Sequence, residues 1–138
     1  MATAQLVSCT IFSQDGTGYV DWDWLSSDTG TVTANSADGA GASIKVVGTL
    51  TRVMFKPDGG ATTPTTLYDV VVNDAAGLDV LTGLGANLSE TTTTTKTITL
   101  TDSGGTTLHT GRTVAEVLTL VITNAGDAKG GQVRIYFV

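Results

Sequence analysis

A chain of 138 residues with a net charge of −6, only 14% charged residues and one cysteine excludes several classes of protein at once. The seven basic residues are scattered, no two adjacent, which argues against a nucleic-acid partner held through phosphates. A single Cys9 allows no internal disulfide, and no run reaches the roughly 18 apolar residues that a membrane helix needs.

Within those bounds the length suits one domain spanning 1–138. Threonine occurs 27 times and glycine 17 times, against 2 prolines. Thr fits the wet face of a strand, because its branched Cβ suits the pleat while its hydroxyl stays hydrated. The sequence thus uses Thr where many proteins use Lys and Glu, as suits a long-lived β-rich structural part. No basic region followed by an apolar stretch follows Met1, so the expectation is a protein made and used without secretion.

Gln5 to Phe12 alternates as a strand, and Ser13 to Gly18 reads as a turn. In Tyr19 to Leu25, Val20, Trp22 and Trp24 share one face, and Tyr19, Asp21, Asp23 and Leu25 share the other. The first face is expected in the core and the second in water. Ser26 to Gly41 is small, polar and glycine-punctuated, with one short strand near residues 31–34. Ala42 to Lys56 is apolar in two pieces hinged near Gly48, with Leu50, Arg52 and Met54 alternating against Thr51, Val53 and Phe55.

Pro57 to Gly60 is a turn, and Thr66 to Asn73 is the clearest internal strand, stopped at Asp74-Ala-Ala-Gly77. Leu78 to Leu81 reads as a short return strand, and 82–95 as a long loop or arm. Lys96 to Thr101 alternates, Asp102 to Gly105 turns, and Thr107 to Val114 bridges onward. Thr113 to Leu120 is the one stretch able to carry a helical turn. Val117 to Thr123 and Gln132 to Val138, joined by a loop of Asn, Gly, Asp and Lys, predict an antiparallel C-terminal hairpin. The last residues, Ile135 to Val138, have no solvating tail, so this end is expected to pack in a sheet or against a neighbour. About eight strands result, in a β-sandwich of jelly-roll type with a small barrel as the alternative.

The search for chemistry returns no catalytic, cofactor or metal residue. His109 is the only histidine, and Cys9 between Ser8 and Thr10 reads as a small buried strand residue. Asp21 with Asp23, and Asp74 with Asp79, are the carboxylate pairs nearest to a calcium site, but neither follows the EF-hand pattern. Gly83-Leu-Gly85 lacks the third glycine of a nucleotide loop. Trp22 and Trp24 suit a sugar-stacking platform only if they lie outside the core.

The segments Leu67 to Asp74, Gly83 to Ser89, Leu118 to Gly126 and Lys129 to Tyr136 resemble small virion proteins of tailed bacteriophages, in particular capsid decoration (cement) proteins of β-sandwich type. The resemblance spans roughly residues 48 to 138. It implies a dimer or trimer on the outside of the capsid, made in the host cytoplasm, clamping neighbouring major capsid protein subunits. No cofactor is expected, and the charge balance and lack of a long apolar run leave no nucleic-acid or membrane partner expected either. The alternatives are a tail or head–tail component, or a carbohydrate-binding module using the two tryptophans.

The contact residues are expected on the terminal strand, read as an unguarded sheet edge: Gln132, Arg134, Tyr136 and Val138, with Leu84 and Leu88 from the 82–95 segment.

Overall fold

The computed structural model describes residues 3–39, 42–101, 104 and 106–138, with the backbone alone for 101 and 107–110. Eleven strands are defined among them, where about eight were expected: β1 (Leu6–Gln14), β2 (Thr17–Leu25), β3 (Val32–Asn35), β4 (Val46–Pro57), β5 (Asp69–Asn73), β6 (Thr94–Thr97), β7 (Thr99–Thr101), β8 (Thr107–Thr110), β9 (Arg112–Glu116), β10 (Thr119–Thr123) and β11 (Gly130–Phe137). The class is all-β and sandwich-like. The large sheet runs β1-β2-β11-β4-β6, with β9 also on β4; the small sheet runs β3-β10-β5; β7 and β8 pair with each other.

Between the two sheets lies the core. The large sheet contributes Val20, Trp22, Trp24, Val53, Phe55, Val133 and Ile135, and the small one Val32, Val70, Val72, Leu120 and Ile122. Both tryptophans are buried, as the shared face with Val20 predicts, so no sugar platform can be made from them. The β1–β2 hairpin follows directly from sequence. Asp15 and Gly16 both take positive φ (53° and 79°), the conformation of a two-residue turn whose twist matches the strands.

The expected C-terminal hairpin does not form. β10 sits between β3 and β5, and β11 sits between β2 and β4. The joining loop crosses from one sheet to the other, its backbone held by bonds from Ala125 N to Gly30 O (3.1 Å), Thr65 N to Ala125 O (2.8 Å) and Ser26 N to Lys129 O (2.7 Å). Two long neighbours satisfy both edges of β11, which the five-residue β10 could not do along its length. The terminal strand is therefore central, not an edge.

A bulge corrects the expected phase of β4. Tyr136 pairs with Arg52 but Phe137 pairs with Leu50, leaving Thr51 as the extra residue. Leu50 thereby turns inward with Val53 and Phe55, while Arg52 stays outside. At Gly48 the strand continues rather than hinging; φ there is 149°, and a Cβ would lie 2.8 Å from Val138 O. The same stretch of β4 is where the neighbouring chain departs. β6 pairs with residues 52–55, β7 and β8 make an excursion, and β9 returns to pair with 46–50. Bonds from Ile98 N to Thr51 O (3.0 Å) and from Gly111 N to Ile98 O (2.7 Å) close the neck. The turn expected at 102–105 falls largely on residues outside those described.

Two further expectations change. Residues 113–120 are extended, in β9 and the start of β10, with no helical turn. The 82–95 segment is not a free arm. Its first half, with the preceding residues 78–81, folds back over the outer edge of β5, through Val80 N to Val72 O (2.8 Å), Val70 N to Gly85 O (2.7 Å) and Leu88 N to Tyr68 O (2.8 Å). The return strand at 78–81 shrinks to a single bridge between Asn73 and Asp79. Val80, Leu81 and Leu88 are buried beneath it, which supplies the reason: a loop with three large apolar side chains gains more by covering an edge than by extending into water.

Candidate functional site

Strand alternation sends Val133, Ile135 and Phe137 inward, so Gln132, Arg134 and Tyr136 stand on the outer face of the large sheet. Register then assembles three rows across that face. The first is Phe12–Tyr19–Tyr136–Arg52, the second Thr10–Asp21–Arg134–Met54, and the third Ser8–Asp23–Gln132–Lys56.

The first row is a continuous stack. Phe12 and Tyr19 lie 5.5 Å apart at 22°, and Tyr19 meets Tyr136 edge-on at 6.3 Å. The Arg52 guanidinium carbon sits 4.0 Å from the Tyr136 centroid, and that of Arg134 4.1 Å from Tyr19. At exposed sites each such contact is worth about 0.5–1 kcal/mol, and together they flatten four long side chains against the sheet. Beside them Phe12, Thr17, Thr51, Tyr136 and Val138 line a shallow groove of about 390 Å³.

In the second row Asp21 departs from expectation. It belongs to the face assigned to water, yet it is only 7% exposed. Arg134 Nε donates to its Oδ1 at 3.0 Å and Gln132 Nε2 donates to the same oxygen at 2.7 Å. A carboxylate so paired tolerates burial, and its two partners roof it. Desolvation is the largest single influence on Arg134 and would lower its pKa, but the bonds to and charges of Asp21 and Tyr136 together hold the guanidinium above its ordinary value. Asp23, next along β2, has its pKa raised by desolvation, then by the charges of Asp21 and Asp58.

The other residues weighed for chemistry are committed elsewhere. Cys9 is buried in β1, accepts Ala37 N–H at 3.3 Å, and burial pushes its thiol pKa up, which makes it a poor nucleophile. The side chain of His109 lies outside those described. Asp74 accepts from Ala76 N and Leu78 N and pairs with Arg112 at 3.5 Å, and Asp79 accepts from Val72 N, Leu81 N and Gly83 N, so both carboxylates are engaged in stabilising turns. Among the described residues no cluster of His, Cys, Asp and Glu is arranged to hold a metal ion.

Of the six expected contact residues, Gln132, Arg134 and Tyr136 come together on one face, and Val138 borders it with 58% of its surface exposed. Leu84 is half-buried against the core, and Leu88 is buried and offers no surface. Phe12, Tyr19 and Arg52 were missed. The pairing of Phe12 with Tyr19 was within reach, since both stand symmetrically about the Asp15-Gly16 turn. Arg52 was not, because the Thr51 bulge decides its side. Compared with known proteins, the chain matches no family model, no curated sequence and no solved structure.

Proposed function

We propose that the protein is a non-enzymatic structural component that binds an assembled protein shell through the outer face of its large sheet. In the reading that the resemblance gives, the shell is a phage capsid and the protein decorates and stabilises its exterior by bridging capsid subunits. The observation that carries the proposal is the row Phe12–Tyr19–Tyr136–Arg52 with Arg134 behind it. Tyr and Arg are the residue types that dominate the energetics of protein interfaces, and here they are held flat and pre-ordered by stacking. Stacking before contact reduces the side-chain entropy lost on docking. A partner bound only when assembled gains stability by mass action, more so when several subunits are engaged at once.

The test heats shells with and without the protein and measures co-sedimentation of Arg52→Ala and Tyr136→Ala. Arg52 is chosen over Arg134 because its loss leaves Asp21 paired. The expected result is a higher shell melting temperature with the wild type, and binding weakened roughly thirtyfold or more by each variant, the range of an interface hot spot. Equal shell stability with and without the protein would refute the proposal.

A further inference from the structure

β1 is the outermost strand of the large sheet, nine residues long, with no charge and no proline in Leu6–Gln14. Gln14 and Thr17 flank the two-residue turn and therefore exchange both ladder bonds. Alternation then directs the N–H and C=O of Val7, Cys9, Ile11 and Ser13 away from β2. Among the described residues none pairs with them. An open groove of about 460 Å³, lined by Val7, Cys9, Asn35, Ala37 and Gly39, runs beside this edge. At its far end Gln5 leaves the strand for β3, so the free edge is bounded at Leu6.

The residues on that edge read the same in both directions by type. About Cys9, Ser8 mirrors Thr10, Val7 mirrors Ile11, and Leu6 mirrors Phe12. We propose that β1 is a homodimer interface in which two copies pair their β1 strands antiparallel about a two-fold axis at Cys9, joining two large sheets into one.

This register satisfies the outward groups of Val7, Cys9 and Ile11 at once, and leaves Ser13 beyond the paired stretch. The facing pairs Cys9–Cys9, Val7–Ile11 and Ile11–Val7 are the ones whose backbone groups point outward, so each exchanges both of its bonds. On the inner face half-buried Val7 meets half-buried Ile11. On the outer face Leu6, 67% exposed, meets Phe12, 45% exposed, which removes from water two of the largest exposed apolar side chains of the molecule. Ser8 faces Thr10, a neutral hydroxyl pair. A register shifted by one residue would set the outward-pointing groups against bonded ones, and a shift of two would part Leu6 from Phe12. The contact is isologous and closes on itself, so it yields a dimer and not a fibre.

The test is sedimentation velocity of the protein alone over a wide concentration range. A failed shell assay leaves this dimer standing, and a failed dimer leaves the shell reading standing. Ser8 and Thr10 are exposed, so charges there leave the monomer fold intact, which circular dichroism checks. The double variant Ser8→Lys with Thr10→Lys sets like charges opposite in both facing pairs. Ser8→Lys with Thr10→Glu sets opposite charges there. The wild type is expected to dimerise, and the first variant to dissociate at least roughly tenfold more readily than the second. A wild type that stays monomeric up to its solubility limit, or two charge variants that associate equally, would overturn the proposal.

Discussion

The small sheet and the large sheet treat their edges in opposite ways. Both outer strands of the small sheet are covered. On β5 the 78–88 loop supplies backbone partners, and Asp79 fixes that loop by accepting three amides. On β3 the Gln5 amide copies a peptide, donating to Thr33 O at 2.8 Å and accepting from Thr33 N at 2.9 Å, while Trp22 Nε1 donates to Asn35 O at 3.3 Å. In the large sheet the edge at β6 and β9 carries Lys96, Arg112 and Glu116, charges that discourage chance pairing. Among the described residues, β1 is the outer strand that carries no charge and no backbone partner on its free side. An edge left bare on a molecule that closes the others is best understood as one kept for a partner.

Breaking the covered side tests that contrast first. Trp22 fills the core and also caps β3, so Trp22→Ala is expected to cost about 3–5 kcal/mol in urea melts. A cost near that of a surface change would mean the tryptophan is not the core anchor described here. Next is Asp79→Ala, which frees three amides and is expected to cost about 1–3 kcal/mol. Its signature is faster hydrogen exchange at Val70 and Val72, with β1 unchanged. Unaltered exchange there would mean that the loop holds β5 without its carboxylate.

Alkali attacks the same side. Burial, then the charge of Asp58, pushes Tyr68 from its ordinary 10 up to about 12. Between those values the unfolded chain loses a proton that the folded one keeps. Stability should therefore fall by about 1.4 kcal/mol per pH unit over that window. Tyr68→Phe should flatten the slope; an unchanged slope would assign it to another group. The smallest effect lies beside the bare edge, where Asp23 pairs with Ser8 of β1. Its folded-state pKa is raised, so the folded protein holds that proton more firmly and its carboxylate destabilises the fold once ionised. Asp23→Asn should stabilise slightly at neutral pH, with the gain vanishing as pH falls through the folded pKa. A loss of stability at neutral pH would contradict the reading that desolvation, then the charges of Asp21 and Asp58, disfavour this carboxylate.

How much of this was legible in the sequence follows from what each feature depends on. The β1–β2 hairpin was readable because a local turn, Asp15-Gly16, and a local alternation determine it. The outward set Gln132, Arg134 and Tyr136 was readable for the same reason. The C-terminal hairpin was misread because Asn, Gly and Lys between two apolar runs look alike whether the chain turns within a sheet or crosses to another. Only the competition among β2, β4 and β10 for β11 decides it. The buried Asp21 and the four-strand aromatic row exist through register, and Arg52 joins that row only because one bulged residue shifts β4. The 82–95 segment looked like an arm because its apolar residues have no strand period, yet Leu88 is core. The bare edge was anticipated on the wrong strand, since edge and centre are properties of topology and not of composition.

Amide hydrogen exchange along β1, followed at low and high protein concentration, tests the bare edge most directly. At low concentration the amides of Ser8, Thr10 and Phe12, bonded to β2, should be protected, while those of half-buried Val7 and Ile11 exchange faster. At high concentration the second set should become protected while the first changes little. Protection that is the same for both sets, and indifferent to concentration, would contradict it.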